Sequence, residues 1–257
     1  MRYAAVFGAA ALLVSTSAFA ATSFTDTFDT EPNSATPPPL STLNDTSFIN
    51  WFAPPNQGTV DTVVSGEFGI TCAGGSGKCV DLDGSTSNAG LLLSKALFTY
   101  NVGDIIKLTF QISGNQRGGA DDQWFGGFYN ENTAFYNNAP TINGSSFSGS
   151  SPCGAFSGGA FSTRLGTTGT GSNCLTPSAS PWTTYNIGFQ AANSGAFRLI
   201  FGDQSVGGDN QGALLDNVNL SIAAVPEPAT WAMMILGLGL IGASLRRRKA
   251  ASVAQLA

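Results

Sequence analysis

Two tight pairs of carboxylates, Asp81 with Asp83 and Asp121 with Asp122, have the spacing of residues that could do acid–base chemistry. Paired acids cleave glycosidic bonds, one protonating the leaving oxygen while the other acts as base or nucleophile. Adjacent side chains on a strand point to opposite faces, so Asp121 and Asp122 make a poor dyad. Asp81 and Asp83 share a face but sit beside a glycine turn. The chain has no histidine, which excludes Ser-His-Asp and Cys-His triads. The expectation is a protein that is not an enzyme. A secreted glycan-active enzyme, of glycoside hydrolase or lyase type, is the alternative.

The other reactive residues are four cysteines, Cys72, Cys79, Cys153 and Cys174. An even number in an oxidising compartment implies two disulfides, for which three pairings exist. Neighbour pairing, Cys72–Cys79 and Cys153–Cys174, is expected because each pair brackets a Gly/Ser-rich loop. Without a C-x-x-C motif or a histidine, zinc is not expected. Trp51, Trp124, Tyr129, Tyr136 and Trp182 offer flat apolar rings able to stack on sugars. Trp124 and Tyr136 lie closest to Asn/Gly-rich loops and are the first glycan-binding candidates, although most Trp in a small sandwich belong to the core.

These residues must be positioned by an exported body. Arg2, the apolar run from Tyr3 to Val14 and the sequence Ala18-Phe19-Ala20 form the three regions of a secretory signal peptide, with cleavage between Ala20 and Ala21. Only 11% of the chain is charged, against about 25% in ordinary soluble domains. Between Ala21 and Val225 acids outnumber cations by nine, fifteen to six. Nucleic acid needs a basic patch to neutralise phosphates, so it is excluded as a partner.

The body reads as strands. Ser23–Phe28, Phe48–Phe52 and Thr59–Ser65 are aromatic or β-branched, and Phe68–Cys72 is expected to form a hairpin with Cys79–Leu82 across CAGGSGKC. Ala89–Phe98 is an apolar run. IIKLTFQI, residues 105–112, puts Ile106, Leu108, Phe110 and Ile112 on one face, as a half-buried strand requires. Gln123–Tyr129, Trp182–Gln190, Ala196–Phe201 and Ala213–Ile222 follow, while Asn137–Ser180 reads as mostly loop. About nine short strands without an amphipathic helix predict an all-β, antiparallel two-sheet sandwich of jelly-roll type.

The end of the chain differs from the rest. VPEPATWAMMILGLGLIGASLRRRKA, residues 225–250, carries two prolines that break regular structure. Seventeen uncharged residues, 229–245, follow and read as a transmembrane helix at the short end of spanning length. Trp231 stands at an interfacial position, and Arg246, Arg247, Arg248 and Lys249 form a basic tail that stays cytoplasmic. The predicted organisation is a signal peptide over 1–20, a sandwich over 21–224 and a C-terminal signal over 225–250, with its helix at 229–245 and basic tail at 246–249.

Pro226-Glu227-Pro228-Ala229-Thr230-Trp231-Ala232, the apolar helix and the arginine cluster together resemble the PEP-CTERM sorting signal in its PEPxxWA form. That resemblance implies recognition by exosortase, with Pro226, Glu227, Pro228, Trp231, Arg246, Arg247 and Arg248 as recognition residues. It also implies export by Sec, a transient hold on the inner membrane and delivery to the outer surface or matrix of a Gram-negative bacterium. Such proteins accompany exopolysaccharide and biofilm formation. CVDLDGSTSNAGLLLSK, FQISGNQRGG and LLDNVNLS resemble the galactose-binding-like jelly-roll proteins of exopolysaccharide systems and some plant cell-wall proteins. This second resemblance implies binding of exopolysaccharide or another glycan, or a structural role. It also implies a structural Ca²⁺ joining first and last strands, held by Asp26, Asp29 and Asp216, with Asp81, Asp83, Asp209 and Asn210 as further candidates.

Overall fold

A computed structural model describes residues 22–34, 40–86, 88–129, 141–142, 145–146, 153–157, 169–203, 209–225 and 228–253. The expected signal peptide, with Ala18, Ala20 and Ala21, lies outside them, as do Tyr136, Pro226 and Glu227. The chain divides into two compact units, and Ala21–Val225 is one of them.

That unit is an antiparallel two-sheet sandwich. Its strands are β1 (Thr22–Asp26), β2 (Trp51–Phe52), β3 (Asp61–Val64), β4 (Lys78–Asp81), β5 (Leu91–Ser94), β6 (Phe98–Tyr100), β7 (Ile105–Ser113) and β8 (Asp122–Tyr129). There follow β9 (Thr141–Ile142), β10 (Ser145–Ser146), β11 (Cys153–Ser157), β12 (Gly169–Thr176), β13 (Thr183–Gln190), β14 (Gly195–Asp203) and β15 (Leu214–Ala223). One sheet runs β13-β7-β15-β4-β3, with β1 also paired to β15. The other runs β11-β12-β8-β14-β5-β2, with β6 paired to β14.

The period-two pattern of β7 is borne out. Ile106, Leu108, Phe110 and Ile112 are buried, while Ile105 and Lys107 are exposed and Thr109 and Gln111 half-buried. Between the sheets lie Phe110, Trp124, Phe128, Phe197, Phe201 and Trp51 with their aliphatic neighbours. Edge-to-face rings pack this layer, with centroids 4.9 Å apart for Phe110–Phe201 and 4.8 Å for Phe128–Phe197. The glycine at 126 is dictated by that packing. It pairs with Phe201 across the strands, and a Cβ there would stand 2.6 Å from the Phe201 ring. β-branching and aromatic content favour these strands, but the two-sided burial is what fixes their register.

Two expectations are corrected. Phe68–Cys72 is not a strand, and β4 instead pairs with β3. Residues 65–77 form the connection, which the Cys72–Cys79 disulfide closes. The physical reason is burial: Asp61, Thr62 and Val63 of β3 are all buried, whereas Phe68 is exposed with a positive φ of 52°. The stretch 137–180 is not mostly loop where it is described. β12, GTGSNCLT, is an interior strand of the second sheet, paired along its length to β8.

Beyond the sandwich, helix α1 covers Pro228–Val253 and contains the expected 229–245 segment. Among the described residues no helix is long and apolar enough to cross a membrane. Seventeen helical residues rise roughly 25 Å, against roughly 30 Å of hydrocarbon.

Candidate functional site

Asp26 ends β1, and its carboxylate is an internal clamp. Oδ1 accepts from Phe28 N at 2.8 Å, and Oδ2 accepts from Trp51 Nε1 at 2.8 Å and Asn50 Nδ2 at 3.0 Å. Asp29 accepts from Lys78 N at 2.9 Å and Thr27 Oγ1 at 3.0 Å. Asp216, on β15, accepts from Ala73 N at 3.1 Å and Asn217 N at 2.6 Å. Burial pushes the Asp216 carboxyl up to about 7, and the charges of Asp29 and Asp26 add to the rise. The three acids thus lie within electrostatic reach of one another. All six of their oxygens accept hydrogen bonds, however, and Ca²⁺ asks for six to eight oxygens of its own. Among the described residues no group of three or more His, Cys, Asp or Glu side chains could hold a metal ion. This donor set does not suit the expected calcium.

The aromatic candidates are also placed differently. Trp124 is fully buried in the core, donates Nε1 to Thr176 Oγ1 at 2.8 Å and packs edge-on against Phe110 and Tyr185. Its position on β8 points inward, so it is a core residue and not a sugar platform. Trp51 is buried too, and the half-buried Trp182 donates Nε1 to Thr71 O at 2.8 Å.

The acid pairs proposed for chemistry converge at a corner built by the end of β4, the β7–β8 loop and the segment leading into β15. Asp81 Oδ1 accepts from Asp83 N at 3.0 Å and Gly212 N at 2.9 Å, while Oδ2 binds the Arg117 guanidinium. Burial holds the Asp81 carboxyl well above its ordinary value despite Arg117. Asp122 is buried, and both its oxygens accept from Asn115 Nδ2 at 3.1 and 3.3 Å. Its carboxyl is raised to about 7 by burial and by Asp203 and Asp209, against the Asn115 hydrogen bonds. Asp83 is raised to about 6, first by burial and then by Asp203 and Asp209. Asp121 is exposed. Neither acid pair is a free dyad: Asp81 is spent on Arg117 and two backbone N–H groups, and Asp121 and Asp122 face opposite ways.

The outward face of the first sheet is a different kind of surface. In register across β13, β7, β15 and β1 stand Asn186, Thr109, Asn219 and Thr25. Thr109 Oγ1 donates to Asn186 Oδ1 at 2.8 Å, and Asn219 Nδ2 donates to Thr25 Oγ1 at 2.7 Å. One step along, Asn217 Nδ2 donates to Gln111 Oε1 at 2.6 Å and Gln111 Nε2 donates to Thr184 Oγ1 at 3.4 Å. Asn217 sits at a bulge in β15 with φ of 51°, which turns its amide outward toward Gln111. The result is a flat array of amides and hydroxyls. Sequence reading missed it because its members are commonplace residues that become a patch only through strand register.

The Cys72–Cys79 disulfide is present. Cys153 and Cys174 are directly opposed in the β11–β12 ladder. In the sorting segment, Val225 and Arg246 are exposed.

Comparison with known proteins bears first on that segment. Residues 224–249 match the PEP-CTERM protein-sorting motif. The motif implies exosortase as a partner and an exported, exosortase-processed surface protein. No curated protein matches the chain by sequence. Among solved structures, the K2 cleaved adhesin domain of Lys-gingipain is 17% identical over 77% of this chain and 99% of its own, with a TM-score of 0.41. The CBM22-1 xylan-binding domain of Paenibacillus barcinonensis Xyn10C is 9% identical over 73% of this chain and 95% of its own, with a TM-score of 0.39. A family 11 carbohydrate-binding module from Clostridium thermocellum, in complex with a β-1,3-1,4-mixed-linked tetrasaccharide, is 15% identical over 73% and 98%, with a TM-score of 0.31. Likeness at that level does not identify a ligand for this chain.

Proposed function

We propose that this chain is a non-enzymatic surface module that exosortase sorts and that holds neutral exopolysaccharide through the amide–hydroxyl face of its jelly-roll sandwich. The observation that carries the reading is the register row Asn186–Thr109–Asn219–Thr25, with Gln111, Asn217 and Thr184 beside it. Amides and hydroxyls offer paired donors and acceptors, the groups that match sugar hydroxyls. Lys107, exposed on β7, is a lone cation at the edge of this array, which suits uncharged sugars better than anionic ones. Asn186 and Asn219 are exposed and within reach of a ligand.

Sorting supplies the setting. The signal peptide over 1–20, removed between Ala20 and Ala21, sends the chain through Sec. The segment 229–245 then holds it in the inner membrane while Arg246, Arg247, Arg248 and Lys249 stay inside. The few ångströms by which the helix falls short are covered by local thinning of the bilayer and by long basic side chains reaching the interface. Exosortase reads Pro226, Glu227, Pro228 and Trp231 and cleaves near Pro-Glu-Pro. The body passes on to the outer surface or matrix of a Gram-negative bacterium.

The test is a glycan array probed with residues 21–225, wild type against a Thr109→Ala, Asn186→Ala, Asn219→Ala variant. A neutral polysaccharide should bind the wild type at least tenfold more tightly than the variant, at equal melting temperature. Equal binding by both proteins, or none by either, rejects the glycan reading. Sorting is tested separately with Glu227→Ala in the full chain, whose mature mass should keep the C-terminal helix. An unchanged mature mass would reject the role given to Glu227.

A further inference from the structure

The first and last strands of the sandwich start and finish at one end of it. Thr22, the first residue of β1, pairs with Ile222, and Ala223, the last residue of β15, pairs with Ile105 at the start of β7. Gln190, the last residue of β13, also pairs with Ile105. The turns before β7 and after β13 close the same end. Gly103 N donates to Ala191 O at 2.7 Å, Ala191 N to Asp104 O at 2.8 Å and Val102 N to Ser194 Oγ at 3.1 Å. Antiparallel pairing thus brings the entry to β1 and the exit from β15 side by side, with Val225 two residues past the ladder.

This end differs from the opposite one in charge. Val102 is 60% exposed, Val225 42% and Ile105 37%. The carboxylate of the turn, Asp104, is buried and accepts from Asn101 N at 2.8 Å. Lys107, two residues from Ile105 and opposite Ser221, is exposed. The exposed aspartates among the described residues stand elsewhere: Asp29 follows the other end of β1, Asp209 precedes β15 and Asp121 precedes β8. The start of β8 is remote because Trp124 pairs with Asp203, the last residue of β14, whereas Gly195, the first, pairs with Tyr100 just before the 101–104 turn. Exposed apolar residues also occur away from the exit, as at Phe68, but there they share the surface with these acids.

We propose that the exit end docks on a phospholipid surface, with Val102, Ile105 and Val225 entering the interface and Lys107 facing lipid phosphate. The proposal rests on the reading of 229–245 as a membrane hold. Four residues lead from Val225 to Ala229, so this end can stand no more than about 14 Å from the start of that segment. The acids that anionic lipid would repel are turned away, while apolar side chains and a lysine near headgroups are attracted. So short a tether gives a high effective concentration, which lets a small contact persist. Docking keeps the Pro226-Glu227-Pro228 cut site close to the bilayer, and the cut removes the tether that sustains the contact. The role is independent of the glycan reading.

The test uses the full chain in vesicles of phosphatidylethanolamine and phosphatidylglycerol, with a fluorophore on Thr22→Cys or, for comparison, on Phe68→Cys, and headgroup-labelled quencher lipid. Quenching should be strong at position 22 and weak at 68. Tethering alone also favours position 22, so the deciding comparison is a Val102→Asp, Ile105→Asp variant, which keeps the tether. Quenching at 22 should fall about threefold or more in that variant, and Lys107→Glu should act in the same direction, since each cation near such a surface contributes several-fold in affinity. Equal melting temperatures establish that the variants are folded; where the double variant does not fold, Lys107→Glu decides. Unchanged quenching at 22 in the folded variants, or equal quenching at 22 and 68 in the wild type, overturns the proposal. A carbonate wash separates the two readings: release of the whole chain rejects the membrane hold, and docking is then judged by the same labels on residues 21–225 added to vesicles, where equal quenching at both positions rejects it.

Discussion

Replacing Trp124 separates the two roles that an aromatic residue beside polar loops can have. The indole is fully buried, its centroid is 4.9 Å from the Tyr185 ring and 5.7 Å from the Phe110 ring, and its N–H is bound to Thr176 Oγ1 at 2.8 Å. Trp124→Ala empties a two-ring cavity between the sheets, which costs about 3–5 kcal/mol. For a body of this length each kcal/mol moves the melting temperature by about 2–4 °C, so the midpoint should fall by roughly 6–20 °C. Trp124→Phe keeps an aromatic ring but removes the Nε1 hydrogen bond to the buried Thr176 hydroxyl, which keeps Tyr185 as a partner, a loss of about 0.5–1.5 kcal/mol. In a double-mutant cycle with Thr176→Val, the coupling should be about 0.5–1.5 kcal/mol. The assays are urea unfolding and calorimetry, with glycan affinity measured per folded molecule. Affinity should not change. A Trp124→Ala protein that melts within about 2 °C of wild type and loses glycan binding would place the indole on the surface and refute the reasoning.

Three further outcomes are expected. Removing the Cys72–Cys79 bridge, whose sequence separation is 7, should cost about 2.5 kcal/mol in urea unfolding by the loop-entropy relation; a loss below about 0.5 kcal/mol would mean that the bridge adds nothing the β3–β4 ladder does not already fix. Asp83, Asp122 and Asp216 have carboxyls raised from 3.8 to about 6, 7 and 7, so folding favours their protonated forms. Their stabilisation is full below about pH 4 and is lost as pH rises through about 6–7, so in EDTA the body should melt higher at pH 5 than at pH 8 and Asp216→Asn should flatten that slope. Because Cys153 and Cys174 are opposed across β11 and β12, non-reducing peptide mapping should recover them as one linked pair; free thiols or linkage to Cys72 or Cys79 would contradict that ladder.

The strands legible in the sequence were those whose side chains alternate. β7 and β15 show their buried faces in one-dimensional order, because half-burial imposes a period of two. β12 was illegible for the opposite reason. Gly169, Thr170, Gly171, Ser172 and Asn173 carry no apolar pattern, and their strand exists because β8 offers a complementary ladder. The hairpin expected across CAGGSGKC failed because glycine spacing marks a turn but not its partner, and burial gave that partnership to Asp61–Val64. Trp124 stood next to polar loops in sequence, yet one residue of register decides whether a strand side chain faces solvent or core.

Sequence alone determined the C-terminal sorting segment and the catalytic triads denied to the chain. A sorting motif is read by residue type and order along a short stretch, so 224–249 needs no fold to be recognised. The missing histidine excludes its triads wherever the strands go. Only the tertiary structure decided which acids are side-chain clamps and which are buried without side-chain donors. Asp26 and Asp83 are the same residue type near strand ends, but the Trp51 and Asn50 side chains hold the first, while the second is buried with only the backbone N–H groups of Asn210 and Gln211 to favour its charge. Hydrogen bonding is directional and short-ranged, so partners far apart in sequence are assigned only when packing brings their atoms into line.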